Sequence, residues 1–107
     1  MIATRDVSNN VVTPICNKWL DSGVYIVNAA LRMTLPTQTT IEQTITVGST
    51  ADGRGSSALT LPAGTQAFTH TSVIEVTGGS SNIVLQARHY SGASVSITGW
   101  LSITKLK

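Results

Sequence analysis

The sequence predicts an all-β domain, a sandwich or barrel of seven or eight short strands, on three observations. Apolar residues recur at every second position in several windows, turn-forming residues punctuate the chain at roughly regular spacing, and no amphipathic helical stripe can be drawn. The clearest window is 83–90. Ile83, Leu85 and Ala87 occupy its odd positions while Gln86 and Arg88 occupy the even side, the alternation of a sheet buried on one face.

Taken in chain order, residues 1–10 are polar and end in Ser8-Asn9-Asn10, which predicts an N-terminal arm leading into a domain over residues 11–107. Val11 to Cys16 is a short apolar run. Pro14 confines it to an edge strand or a bulge, because proline cannot donate to a ladder. After the turn Asp21-Ser22-Gly23, the odd positions Tyr25, Val27, Ala29, Leu31 and Met33 predict a long strand with that side inward and Asn28 and Arg32 outward. A helix over Tyr25 to Met33 is the rival reading, disfavoured by the β-branched neighbours and the turn before it. Leu35-Pro36-Thr37 breaks the strand.

Ile41, Ile45 and Val47 then alternate with Glu42, Thr44 and Thr46, and a Gly/Ser-rich loop is expected over 48–57, carrying Asp52-Gly53-Arg54-Gly55 at a flexible hairpin tip. Ala58 to Leu61 reads as a brief strand stopped by Pro62-Ala63-Gly64, whose residues favour a turn. Ala67 to Thr77 is another strand, ended by Gly78-Gly79-Ser80-Ser81. Beyond the 83–90 strand, Ser91-Gly92 turns the chain, Val95 and Ile97 resume the alternation, and Gly99-Trp100-Leu101-Ser102-Ile103 closes it with Leu101 and Ile103 on one side. A core strand so near the last residue makes the C-terminus structural.

At 107 residues the chain builds one core. Charged residues are 11% of it, against roughly 25% in an ordinary domain, and sixteen Thr and twelve Ser supply the polarity instead. Charge is the usual defence of sheet edges, so a surface this neutral is expected to lie largely against other protein. The net charge is +2 and the seven basic residues are scattered, which excludes the basic stripe of a nucleic-acid binder. No segment reaches the ~20 apolar residues of a membrane span, and the N-terminus lacks the apolar run of a signal peptide. The expectation is a soluble chain made in the cytoplasm, with neither membrane nor nucleic acid as partner. Cys16 is the single cysteine, so no intrachain disulfide forms.

Candidate chemistry is sparse. His70 and His89 fall on different predicted strands, and His89 continues the inward register of Ile83, Leu85 and Ala87, which favours a core or interface histidine over a catalytic one. The acids Asp6, Asp21, Glu42, Asp52 and Glu75 are too dispersed for a carboxylate pair or an oxygen-ligand cage, although Asp6 and Asp21 are free to meet in space. Cys16 has no ligand partner at metal spacing and reads as a small buried hydrophobe. Asp52 to Gly55 lacks the Lys-Ser/Thr ending and helix of a phosphate loop. Trp19, Tyr90 and Trp100 suit interface anchoring better than sugar stacking. The chain is therefore expected to be non-enzymatic, with no catalytic residue, metal or cofactor. Its partner contacts are expected at Ile2 and Val7 on the arm and at Trp19, Tyr90, Trp100 and Leu101 on the domain.

Three motifs carry a family resemblance over about residues 11–107. Gly23-Val24-Tyr25-Ile26-Val27 resembles the opening strand of tumour-necrosis-factor-like and complement-head-like jelly rolls, Leu59-Thr60-Leu61-Pro62-Ala63-Gly64-Thr65 is similar to a turn of that family, and Gly99-Trp100-Leu101-Ser102-Ile103 to its closing strand. Thr65 and Gln66 depart from the family, which commonly has an acidic residue there. The resemblance implies a single jelly-roll β-sandwich of about eight antiparallel strands that assembles as a trimer. The Thr/Ser-rich style and the Ser91-Gly92-Ala93-Ser94 turn also resemble small β domains of tailed-phage virions. That implies a capsid decoration or cement protein in the virion, bridging the phage major capsid protein or another virion protein, and the sequence shows no shaft or coiled-coil segment of the kind a fibre needs. The alternative it implies is a receptor-binding head of a tail fibre that recognises a host glycan or surface protein.

Overall fold

The computed structural model describes residues 1–48 and 50–107, with the backbone alone described over 50–55. Eight strands form: β1 (Ile2–Val7), β2 (Thr13–Leu20), β3 (Gly23–Leu35), β4 (Thr39–Val47), β5 (Thr50–Leu61), β6 (Gly64–Val76), β7 (Ser81–His89) and β8 (Val95–Lys105). They build two four-stranded antiparallel sheets, one in the order β1-β8-β3-β6 and the other β2-β7-β4-β5. Successive strands mostly change sheet, and only β4 and β5 pair with a neighbour in sequence. This interleaving of two sheets is the jelly-roll arrangement. The all-β sandwich of about eight strands expected from the sequence is what forms.

The inward positions of β3 are buried as their alternation predicts, from Tyr25 through Val27, Ala29, Leu31 and Met33 to Leu35. Ile41, Ile45, Ile83, Leu85, Ala87, Val95, Ile97 and Leu101 meet them from the neighbouring strands in one continuous core. Pro14 lies on β2, an edge strand of its sheet, where the register also slips between Pro14 and Cys16. A missing donor is harmless at such a position. Gly99 faces inward, and a Cβ there would stand 2.6 Å from Ile15 Cγ2 and 3.1 Å from Leu85 Cδ2. The two sheets approach each other across that glycine.

The structure corrects two expectations. The arm over residues 1–10 is a strand: β1 pairs with β8 from Ile2↔Trp100 to Val7↔Val95, and Val7 is fully buried. Its polarity belongs to an edge strand with one face in water. The loop over 48–57 is largely the start of β5, paired as Val47↔Thr50 and Thr46↔Ala51 before the register shifts. Ser49 and the side chains of Asp52 and Arg54 lie outside the described residues. Val47 packs against the core as its parity predicts, half-buried opposite Ile83 of β7, because the slip between Thr44 and Thr46 belongs to the pairing with β5 and leaves the register with β7 unbroken.

His89 shows why β1 is held. It is fully buried, its Nε2–H donates to the Val7 carbonyl at 2.6 Å, and Nδ1 accepts from the Ser91 hydroxyl at 2.9 Å. A carbonyl only accepts, so Nε2 carries the proton. The Asn10 N–H donates to the His89 carbonyl at 2.7 Å and the Gly92 N–H to Asn9 Oδ1 at 2.9 Å, so the β1–β2 link is tied to the β7–β8 turn. Asn10 takes a positive φ of 57° there, a conformation asparagine tolerates better than most residues. Gln43 is less well served. It is fully buried and neither of its amide atoms has a hydrogen-bond partner, which costs about 1–3 kcal/mol per group.

Removing residues 1–7 is expected to destroy cooperative unfolding or lower stability severely. It exposes the edge of β8, removes the burial of Val7 (about 1.5–3 kcal/mol) and strands the His89 Nε2–H (about 1–3 kcal/mol). A truncated chain with the melting midpoint of the full chain would show that β1 is dispensable. Gly99→Ala is expected to cost about 1–3 kcal/mol through overpacking against Ile15 and Leu85, read as a lower midpoint in urea at unchanged slope.

Candidate functional site

The outer face of the β1-β8-β3-β6 sheet is the surface with the most unusual chemistry. Strand pairing sets Ile2, Trp100, Ala30 and Thr69 side by side across all four strands. The next row is Thr4, Thr98, Arg32 and Ala67. On the other side of Trp100 lie Ser102, Asn28 and Thr71. Asp6, Arg32 and Glu75 are the charged residues among the outward positions of these strands, so hydroxyls dominate the face. Several hydroxyls pair across strands: Thr4 with Thr98 at 2.8 Å, Thr34 with Thr65 at 3.1 Å, and Thr71 donating to Asn28 Oδ1 at 2.7 Å.

Trp100 stands half-buried near the middle of this face, between the larger Ile2 on β1 and the small Ala30 on β3. On one side is a depression of about 430 Å³ lined by Arg32, Thr34, Thr65, Ser96, Thr98 and Trp100. On another is one of about 280 Å³ among Asn28, Ala30, Thr69, Thr71 and Ser102. A third, of about 550 Å³, lies beyond the start of β1, where Met1, Lys18, Leu20 and Ile103 line the corner of the sandwich. An aromatic ridge flanked by hollows is a shape that another surface can key into.

The residues expected to contact partners are distributed unevenly. Ile2, 60% exposed, lies beside Trp100 on this face. Trp19, 65% exposed, lies opposite Asn82 on the other sheet, and Tyr90, 43% exposed, follows the far end of β7. Trp19, Tyr90 and Trp100 therefore form no common platform. Val7 and Leu101 are corrected: both side chains are in the core, since the period-2 register that puts Trp100 outside puts Leu101 inside, and Val7 shares that inward side. The sequence reading missed Asn28, Ala30, Thr69 and Thr98 around Trp100. Their outward parity was legible, but nothing local says that strands 3, 6 and 8 lie side by side.

The other sheet carries one charged cluster on its outer face. The register Glu42↔Arg88 brings together two residues that looked isolated in the sequence, and Arg88 Nε donates to Glu42 Oε2 at 2.5 Å. Tyr90 donates to the same oxygen at 3.2 Å, and the Arg88 guanidinium lies 5.4 Å from the Tyr90 ring centre. The hydrogen bond from Arg88 holds the Glu42 carboxyl below the usual carboxylate range. Asp21 and Asp6 do not meet. Asp21 accepts from Ser80 at 2.9 Å near the start of β3, whereas Asp6 pairs with Ser96 at the opposite end of the sheet. Cys16 is buried, and desolvation pushes its thiol up, away from the reactive thiolate. Among the described residues, no three His, Cys, Asp or Glu side chains gather as metal ligands.

Comparison with known proteins adds one finding. No described family and no curated protein matches the sequence. A chain in the structure of infectious bursal disease virus, Gx strain, matches the fold with a TM-score of 0.62 at 15% identity, over 98% of this chain and 32% of that one. A chain of the Gt strain matches at 0.56 and 13% identity, over 96% and 29%. The sandwich is a fold used by these virus chains. This chain spans about a third of the length of each, and the likeness is one of fold alone.

The Glu42–Arg88 pair gives a pH prediction. A carboxyl whose folded value is depressed contributes stability above the ordinary glutamate value of about 4.3, and that contribution is lost as pH falls through the lower folded value. Glu42→Gln is therefore expected to lower the melting midpoint slightly at neutral pH and to flatten the midpoint-versus-pH curve on its acid side. An acid limb identical to that of the unaltered chain would show that the pair contributes nothing.

Proposed function

We propose that this protein is a non-enzymatic structural subunit of a virion, a decoration or cement protein that binds the outside of a tailed-phage head and bridges neighbouring capsid subunits. The observation that carries this reading is the match of almost the whole chain to the sandwich of chains in a virus structure. Two features support it. The outer face of the β1-β8-β3-β6 sheet is nearly free of charge, and charge is what keeps a solitary β protein from associating. The motifs resembling tumour-necrosis-factor-like jelly rolls point the same way, toward a homotrimer that assembles after synthesis in the host cytoplasm.

Bridging stabilises a shell by simple coupling. A subunit bound across two neighbours adds its interface to every separation that expansion or rupture requires, so many weak contacts sum over the particle. The body of the sandwich makes these contacts, because residues 2–7 are committed to β1 and do not reach out as a tether.

Mixing the purified protein with undecorated heads and imaging the particles tests the reading. The expected result is regular density on the head surface together with greater resistance of the heads to heat or osmotic rupture. Density at a tail-fibre tip would replace the decoration role by host recognition. No binding to any virion part would overturn the structural reading as a whole.

A further inference from the structure

We infer that the outer face of the β1-β8-β3-β6 sheet is where a second copy of this chain docks, with Trp100 as the anchor. The inference deepens the assembly role proposed above and rests on it. Contacts between identical chains have a particular requirement: in a closed arrangement a surface meets either itself or another part of the same molecule, so knob and hole must both be present on one chain. Here they share a face. Trp100 is the knob, and the hollows beside it, of about 430 and 280 Å³, are the holes.

The chemistry fits an identical partner better than a foreign one of strong charge. A hydroxyl both donates and accepts, so a face of Thr and Ser can lie against its own copy without like groups opposing each other. Lysine or glutamate in those positions would repel its copy. The face's charges are of both signs, Arg32 near the centre and Asp6 and Glu75 towards opposite ends, so a rotated copy can offer an acid to the arginine. Trp and Arg are also the residue types that dominate binding energy at the centres of interfaces.

Size points the same way. The sandwich measures 42 by 22 by 20 Å, so this broad face offers on the order of 800 Å², the area each partner buries in an interface of standard size. The outer face of the other sheet is a weaker candidate, since its exposed tryptophan, Trp19, lies on the edge strand β2 and not at the centre of the face.

Sedimentation of the full chain and three variants tests the assignment. Ala30→Arg puts a long cation beside Trp100, Thr69→Arg does the same from the exposed edge strand β6, and Ala58→Arg puts one on the outer face of the other sheet. The unaltered chain and Ala58→Arg are expected to sediment as oligomers at micromolar concentration. Ala30→Arg and Thr69→Arg are expected to sediment as 11.2 kDa monomers that still unfold cooperatively, with association about 30-fold weaker or worse. Should Ala30→Arg fail to fold, Thr69→Arg carries the test. A monomeric parent chain, or oligomers that survive Thr69→Arg, would overturn the inference. Binding to heads is scored separately on the same samples. Heads decorated by a monomeric parent leave the virion role standing without this interface, and oligomers that bind no virion part leave the interface standing without the role. Variants that remain oligomeric but lose the heads would assign the face to a capsid protein and also overturn the inference.

Discussion

Everything in this sandwich depends on β8 lying between β1 and β3. The last strand of the chain hydrogen-bonds the first on one side and the long central strand on the other, from Val7↔Val95 to Tyr25↔Lys105. Both termini are held in consequence. The Leu101 N–H donates to the Met1 carbonyl at 2.9 Å and the Val24 N–H to the Lys107 carbonyl at 3.0 Å. A sheet whose centre is filled by its final strand cannot close until the whole chain is present, and such non-local pairing makes folding slow relative to helical domains of similar size.

The same constraint creates the surface that bears on function. Trp100 is carried to the middle of an outer face because its strand is interior to the sheet, with Ile2 across from it on one side and the small Ala30 on the other. An exposed tryptophan on an edge strand, as Trp19 is, has water or open edge beside it. Only the interior placement gives an aromatic residue hollows on both flanks. The neutrality that looks like a compositional oddity in the sequence thus becomes, in three dimensions, a broad face on which hydroxyls satisfy one another across strands.

Polar groups in the interior divide into two kinds. His89 is integrated: its ring nitrogens bond the first strand and the turn before the last strand, and its backbone carbonyl bonds the link after the first strand. Gln43 is not, and its burial follows from parity alone, since an odd position on β4 between Ile41 and Ile45 has to face inward. The histidine helps specify the fold, whereas the glutamine is a cost carried by it.

How much was legible in the sequence follows from which interactions are local. The inward sides of Tyr25 to Met33 and of Ile83 to His89, the ending of β5 at Pro62 and the edge position of Pro14 were all readable, because pleat parity and proline's missing donor are properties of one strand. The role of residues 2–7 was not, because an edge strand with one buried end writes almost no apolar signal and its justification, His89 bonding Val7, lies 82 residues away. Leu101, next to an outward tryptophan, was expected at a partner surface, although its own parity places it inward with Ile97. The sequence by itself determined that this protein is an all-β domain of seven or eight strands with a neutral, hydroxyl-rich exterior, since alternation and composition are carried by each strand separately. Which strands are neighbours, and so which residues surround Trp100 and which acid meets Arg88, only the tertiary structure decided, because pairing between segments distant along the chain is set by the closure of the two sheets and not by either segment alone.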